Sequence, residues 1–285
     1  MEPILSTGVI MTRRSLLPAA GAAALAAQTS RAAGGRIKQS VSKWCYGKMT
    51  TEELCKEAAR IGLKGIDLVN DTDWPIIQKY GLTPAMTPGA GTIPNAYNRK
   101  ENHDKLNAEM RANIDKASAA KVPNVITFSG NRKGMSDQEG LENCIAGLKQ
   151  VAKYAEDKGV TINVELLNSK VNHKDYMCDH TAWGVELCKQ VASPRVKLLY
   201  DIYHMQIMEG DIIRTIQQNF QYIGHFHTGG VPGRHELDDT QELNWRAVAT
   251  AIADLKYDGF FAHEFVPASK TPIKSLEDAF KLCDV

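Results

Sequence analysis

Four residues with metal-binding side chains each stand at the end of a short apolar run in this 285-residue chain. The runs at 162–164, 196–200, 222–226 and 260–263 have the character of buried strands, and they lead to Glu165, Asp201, His227 and Glu264. Three carboxylates and one imidazole are a ligand set for a divalent cation held by hard oxygen donors and one nitrogen. The pattern therefore predicts a metal centre with positions left open for water or substrate, as catalysis requires.

The two glutamates of this set suggest the chemistry. Glu165 and Glu264 end the fifth and eighth predicted strands, so they can approach a bound molecule from opposite sides. One carboxylate can remove a proton from the carbon of an α-hydroxycarbonyl compound, and a carboxyl can return it to the neighbouring carbon. A metal would polarise the carbonyl and stabilise the enediolate oxygens. Mixed oxygen and nitrogen ligation suits one Mn²⁺, Mg²⁺ or Co²⁺ ion and does not exclude Zn²⁺.

The elements that must position these residues alternate regularly. Apolar strand candidates begin near residues 40, 65, 82, 124, 160, 197, 221 and 259, with helical patterns such as 51–61 and 141–154 between them. Alternating strands and helices predict a parallel sheet, and eight such units fit a closed barrel. We predict a single-domain α/β structure, a (β/α)8 TIM barrel over residues 38–285. The long segment 87–95 is predicted as an irregular loop that could form a lid or a pocket wall.

The N-terminal segment has a different character. Arg13 and Arg14 precede an Ala-rich apolar run that ends near Ala27, and small residues follow to position 33. This pattern predicts a twin-arginine export signal over residues 1–33, a periplasmic location and no stable membrane span after export. Whether the signal is cleaved stays open. The six cysteines form no C-x-x-C pair, and we expect free, mostly buried thiols.

Five motifs carry a resemblance to a known family. They are Glu-Leu-Leu-Asn at 165–168, Tyr-Asp-Ile-Tyr-His-Met-Gln at 200–206, His-Phe-His at 225–227, Pro-Gly-Arg-His-Glu at 232–236 and His-Glu-Phe at 263–265. From about Gln39 onward the chain resembles the hydroxypyruvate isomerase family of xylose-isomerase-like TIM barrels. The resemblance implies a divalent metal on the four residues above, with the two glutamates as acid/base pair. It also implies that His204 and Arg234 contact substrate oxygens, and that hydroxypyruvate and 2-hydroxy-3-oxopropanoate are interconverted.

Other functions stay open at this point. Leu166 stands where many family members have proline, and His227 where glutamine is common. A histidine there is typical of related ketose 3-epimerases, so a ketose 3-epimerase or related sugar isomerase is the alternative. A DNA endonuclease of the same superfamily would need a multi-metal cluster and a basic face, whereas the net charge is only +1 at pH 7. A non-catalytic sugar-binding barrel would not need paired glutamates.

Further side chains are candidates for substrate contact. His103 follows the long third loop and could line the pocket, or could begin a solvated helix. Arg132 follows the fourth strand and could clamp a carboxylate, or could be a surface charge. Trp44 is expected in the barrel or pocket wall. The expected partner is a small hydroxycarbonyl molecule and not nucleic acid, and homo-oligomer formation is left open.

Overall fold

The computed structural model describes Met1 and residues 35–285. Nine parallel strands form one sheet in the order β3-β2-β1-β9-β8-β7-β6-β5-β4. The strands are β1 Lys38–Ser42, β2 Gly65–Asp67, β3 Thr83–Pro84, β4 Thr87–Ala90, β5 Asn124–Thr127, β6 Thr161–Glu165, β7 Val196–Asp201, β8 Ile223–Thr228 and β9 Phe260–His263. The strands and their helices form the predicted single-domain TIM barrel.

The third predicted strand is divided. β3 pairs with β2, β4 pairs with β5, and only Ala85 and Met86 separate the two pieces. Ala85 donates its amide to the Ile66 carbonyl of β2 at 2.8 Å, and the Met86 carbonyl accepts from Val69 at 3.2 Å, so both residues still bond on the β2 side. The prediction of an irregular loop over 87–95 was therefore wrong for its first four residues, which are β4. Together the two pieces bring the ends of the sheet to one another.

Nine α-helices lie in the described part of the chain. They are α1 Thr51–Ile61, α2 Trp74–Lys79, α3 His103–Ala119, α4 Asp137–Lys158, α5 Thr181–Val191, α6 Ile202–Met208, α7 Ile212–Asn219, α8 Trp245–Asp254 and α9 Pro272–Cys283. Local sequence sets their ends. In α1, Thr50 and Glu53 form a capping box, and Gly62 ends the helix with a φ of 109°.

The inside of the barrel is partly polar. Side chains alternate across a strand, so Glu165 and Asn163 of β6 share the inner face. Asn163 donates to Asn124 Oδ1 at 3.1 Å within the barrel. Above this polar layer, Met86, Ile126 and Leu199 form a small apolar cluster of their own. The apolar cluster thus lies next to the rim where the four predicted ligands end their strands.

Apart from Met1, the export signal predicted over residues 1–33 lies outside the described residues. From residue 35 onward, no helix combines the length and the apolar character that crossing a bilayer requires. All six cysteines are free and five are buried, in agreement with the expectation of free, mostly buried thiols.

Candidate metal and proton-transfer site

The four predicted ligands meet at the carboxyl end of the barrel. Glu165 and Asp201 are the last residues of β6 and β7, His227 lies one residue before the end of β8, and Glu264 follows β9. Asp201 and His227 are register partners of adjacent strands. One ligand atom from each of the four buried residues lies within 4.8 Å of the others. Consecutive parallel strands thus bring together residues that are about a hundred positions apart in the chain.

His227 gives a test of whether these residues suit a cation. Its ring is buried, and neither nitrogen makes a hydrogen bond of acceptable geometry. Nδ1 nevertheless lies 2.6 Å from Glu264 Oε2 and 3.8 Å from Glu165 Oε1. An unpaired imidazole nitrogen that faces two carboxylates, with a third carboxylate beside them, suits a divalent cation as a shared partner. The donor set therefore fits a metal.

Arg234 provides positive charge beside the cluster. Its Nη2 lies 2.8 Å from Asp201 Oδ2 and also donates to Glu264 Oε2. Its guanidinium lies between the rings of Trp44 and Tyr203, at 5.5 and 5.1 Å from their centroids. The two buried carboxylates are therefore partly neutralised by a cation held in a fixed place.

His204 lies behind Arg234. It is fully buried, and Arg234 Nη1 donates to its Nε2 at 2.9 Å. The Asn168 side chain contacts Nδ1 at 2.6 Å. Burial and the charge of Arg234 lower the pKa of His204 well below its usual value, so the ring is neutral. Of the two residues that the resemblance implied as substrate contacts, Arg234 lines the cavity and His204 supports Arg234 from behind.

The clustered carboxyls have pKa values that differ from one another. Burial raises the pKa of Glu165 to about 8, and the charge of Glu264 contributes to this shift. Burial also disfavours the charged form of Glu264, but His227 and Arg234 outweigh it and hold the pKa of Glu264 below its usual range. Burial raises the pKa of Asp201 to about 6. Paired carboxyls with separated pKa values are typical of acid/base sites.

Asp67 was missed in the sequence analysis. This last residue of β2 is fully buried, and its Oδ2 accepts from His225 Nε2 at 2.6 Å and lies 3.5 Å from His227 Nε2. Its Oδ1 accepts from Ser40 at 2.5 Å. A carboxylate behind a ligand histidine commonly orients the ring. The available signal was the one used for the other ligands, a carboxylate at the end of a short apolar strand.

Trp44 was expected in the barrel or pocket wall, and it also contacts one of the four candidate ligands directly. Its Nε1 donates to Glu264 Oε1 at 2.6 Å, so both oxygens of Glu264 have a donor. The indole also lines the cavity above the cluster. Trp44 therefore holds Glu264 in position as well as forming the wall.

His103 and Arg132 lie elsewhere. His103 is buried at the start of α3, where its Nε2 contacts the Tyr97 carbonyl at 2.9 Å. Arg132 forms ion pairs with Asp137 at 2.6 Å and Asp179 at 3.1 Å. Neither residue lines the cavity at the cluster. Because the Tyr97 carbonyl already contacts His103 Nε2 and two carboxylates already bind the Arg132 guanidinium, we do not include them among the proposed substrate contacts.

The cluster opens into a cavity of about 630 Å³. Glu165, Glu264, Arg234 and His173 form its polar end, and the remaining wall is mainly apolar. Such a cavity at the carboxyl ends of barrel strands is the usual place for a small-molecule site.

Fold and site together define an α/β barrel with a cluster of four candidate metal ligands at the carboxyl ends of its strands. Residues 55–283 match the family model described as xylose isomerase-like TIM barrel, and the chain belongs to this family. A human protein named "Putative hydroxypyruvate isomerase" is 25% identical over 251 residues, which cover 85% of this chain and 84% of that protein.

Two further comparisons are more limited, one to part of the sequence and the other to the fold. The D-psicose 3-epimerase of Ruminiclostridium cellulolyticum is 34% identical over 128 residues, which cover 43% of this chain and 41% of that enzyme. This chain thus spans about half the length, or less, of several curated relatives that it matches. The crystal structure of a family 2 AP endonuclease from Brucella melitensis superimposes with a TM-score of 0.75 at 24% identity, covering 84% of this chain and 97% of that one. This last likeness concerns the fold alone.

Proposed function

We propose that this chain is a metal-dependent isomerase or epimerase that moves a proton at the carbon beside a carbonyl group. The observation that carries the proposal is the pair Glu165 and Glu264, which face one cavity from β6 and from the end of β9 and share a ligand cluster with Asp201 and His227. A divalent cation bound there would polarise the substrate carbonyl and stabilise negative charge on its oxygens.

The protein's own residues divide the proton transfer between them. Glu264, whose pKa is lowered, is ionised and accepts the proton from the substrate carbon. Glu165, at the end of β6, is the second carboxyl that faces the cavity and can return a proton to carbon. Return to the neighbouring carbon, with transfer of the hydroxyl proton between the two oxygens, gives isomerisation. Return to the opposite face of the same carbon gives epimerisation.

The groups around Glu264 keep it in place for this step. Trp44 and Arg234 each donate to one of its oxygens. A low pKa makes Glu264 a weak base, so positioning must supply much of the rate. Arg234 also faces the cavity, where its guanidinium can bind a substrate oxygen.

Hydroxypyruvate, with 2-hydroxy-3-oxopropanoate as product, is the substrate implied by the sequence resemblance, and the name of the human relative agrees with it. A ketose 3-epimerase is the second candidate. His227 at the ligand position favours it, and the name of the Ruminiclostridium relative supports it. Both candidates use the same two glutamates and differ in the carbon that receives the proton.

The experiment is solvent deuterium incorporation, followed by NMR, with Mn²⁺-loaded enzyme and a panel of hydroxypyruvate and ketoses. Exchange with aldehyde formation from hydroxypyruvate supports the isomerase, and exchange confined to C3 of ketoses supports the epimerase. Glu165→Gln and Glu264→Gln should abolish exchange. Glu109→Gln is the matched control, because Glu109 lines the same cavity outside the ligand cluster. Full exchange by either cluster variant would contradict the proposal.

A further inference from the structure

His173 lines the cavity but has no part in the proton transfer between the two glutamates. Its side chain lies at the polar end, together with Glu165, Glu264 and Arg234. The other seven histidines each place a ring nitrogen 2.6–2.9 Å from a polar atom of the protein. The ring of His173 instead lies against the ring of His204, with 5.3 Å between their centroids, and forms no hydrogen bond to the described residues. Its nitrogens are therefore available to a molecule in the cavity.

The segment that carries His173 is held in place by a network of hydrogen bonds. Asn168 Oδ1 accepts from the backbone amides of Val171 and Asn172 at 3.0 and 2.8 Å. The Asn168 carbonyl accepts from the amide of His173 at 3.1 Å. The Asn172 side chain accepts from Asn168 at 2.8 Å and from the Tyr203 hydroxyl at 2.9 Å. The imidazole is thus presented to the cavity by a fixed backbone, which is the kind of support that positions a functional group.

The surroundings of His173 favour the neutral form of its ring. Burial and the charge of Arg234 lower its pKa, and they outweigh the opposite effect of Glu264. A divalent cation in the ligand cluster would add positive charge on the same side and act in the same direction as Arg234. The ordinary pKa of histidine is about 6.5, so the ring is neutral at pH 7. A neutral imidazole has one nitrogen that donates a hydrogen bond and one that can accept a proton.

Isomerisation of an α-hydroxycarbonyl compound requires two proton movements. One proton moves between adjacent carbons, and Glu264 and Glu165 account for this step. The second proton moves from the hydroxyl oxygen to the neighbouring oxygen, since the old carbonyl becomes the new hydroxyl. Epimerisation at a single carbon has no such second movement. A group that can accept and donate a proton beside the two glutamates is therefore useful for isomerisation alone.

The other polar side chains of the cavity are less suited to this second step. Arg234 remains protonated and Trp44 Nε1 only donates, so neither can accept a proton. Trp44 Nε1 also already donates to Glu264. Thr92 and Glu109 are exposed to solvent and belong to the segment after β4 and to α3. Among the described residues, His173 is thus the side chain at the polar end that can take up and release a proton without being a candidate metal ligand.

We propose that His173 is a catalytic residue that carries the hydroxyl proton from one substrate oxygen to the other. One ring nitrogen accepts the proton as the O–H bond of the hydroxyl group breaks, and then donates it to the neighbouring oxyanion, where a new O–H bond forms. The electron pair left on the first oxygen forms the new carbonyl as Glu165 returns a proton to the adjacent carbon. The ring ends neutral, as it began. The inference rests on the proposed function, since Glu264 must first remove the proton from carbon, and it applies to a hydroxyacid and to a ketose alike.

The test compares isomer formation with deuterium exchange in His173→Gln. Glutamine can donate and accept hydrogen bonds, but it cannot take up and release a proton. Mn²⁺-loaded wild type and variant are incubated in D₂O with hydroxypyruvate, D-fructose and other ketoses, and NMR measures both the isomer formed and the deuterium at carbon. The ratio of isomer formed to deuterium exchanged should fall by at least about 100-fold in the variant, which is the lower end of the usual contribution of a general acid–base group.

His180→Gln is the matched control, because His180 is an exposed histidine outside the cavity. This control should keep the wild-type ratio of isomer formed to deuterium exchanged. The hydrogen bonds that hold the segment around His173 come from its backbone and from Asn168 and Asn172, so His173→Gln should fold. Circular dichroism and thermal unfolding check this for both variants.

The outcomes separate failure of this inference from failure of the proposed function. An unchanged ratio in a folded His173→Gln protein, or an equal loss of isomer formation and exchange, would overturn the role of His173 and leave the chemistry of the two glutamates intact. Exchange by the wild type at C3 of ketoses without any aldose would do the same, because epimerisation has no hydroxyl proton to move. Absence of exchange by the wild type with every compound would overturn both.

Discussion

Replacement of Asp67 with asparagine should weaken metal binding while the barrel stays folded. In the native protein, Asp67 accepts from His225 at 2.6 Å and from Ser40 at 2.5 Å, and lies 3.5 Å from His227 Nε2. An asparagine can turn its oxygen toward the histidines and donate from its nitrogen to the Ser40 hydroxyl. The number of hydrogen bonds is then preserved, and only the negative charge behind His227 is lost.

The size of the effect follows from that loss. Removal of a carboxylate partner behind a ligand histidine typically costs about 10–100-fold in metal affinity, which is about 1.4–2.8 kcal/mol. Asp67→Ala differs, because it leaves two buried donors, His225 Nε2 and Ser40 Oγ, without this acceptor at about 1–3 kcal/mol each. The alanine variant should therefore lose stability as well as affinity, and the asparagine variant mainly affinity.

Calorimetric titration with Mn²⁺ measures the affinity, and thermal unfolding of the metal-free protein measures the stability. Asp179→Asn is the matched control, since Asp179 is also a buried carboxylate but pairs with Arg132 outside the ligand cluster. The control should bind Mn²⁺ as the wild type does. Unchanged Mn²⁺ affinity in a folded Asp67→Asn protein would refute the role assigned to Asp67.

Three further results are expected. Glu264→Gln should lower the rate of deuterium exchange by at least about 100-fold with an unchanged circular dichroism spectrum, and near-normal exchange would remove Glu264 from the mechanism. Mn²⁺ at 100 times its Kd should stabilise the protein by about 2.7 kcal/mol in calorimetry, reversibly with a chelator, and no shift would contradict the metal site. The ion pair between Arg132 and Asp179 should make stability sensitive to acid. Burial raises the pKa of Asp179, but hydrogen bonds from Arg132, Ser169 and His180 outweigh burial and hold this pKa below its usual value. The contribution of the ionised Asp179 to the free energy of unfolding is complete above about pH 4 and is lost as the pH falls through the lowered pKa. Urea titrations should therefore show that Asp179→Asn loses less stability than the wild type between neutral and acid pH.

The order of strands and helices could be predicted from the sequence because it depends on local patterns. Each apolar run and the helical pattern after it lie within about 30 residues, and parallel pairing brings the carboxyl ends of the strands to one rim. The convergence of Glu165, Asp201, His227 and Glu264 follows from that rule alone. The division of the third strand does not follow from it, since it depends on the two pieces pairing with different neighbours, β2 and β5.

The tertiary structure decided which polar groups have partners. His225 and Asp67 are 158 positions apart, and Trp44 and Glu264 are 220 apart, so no local spacing indicates either contact. His103 and Arg132 are of the right residue types for substrate binding, but a backbone carbonyl already contacts His103 Nε2 and two carboxylates already bind Arg132.

The apolar wall of the cavity could likewise not be predicted from the sequence. Ile93, Ile126 and Phe128 are ordinary core residue types, and only the closed barrel places them around a cavity at the rim. The sequence by itself determined the barrel and the chemical groups at its rim, because both follow from periodicity and strand ends. The depth and polarity of the space above them depend on how distant segments pack, which is a property of the folded chain.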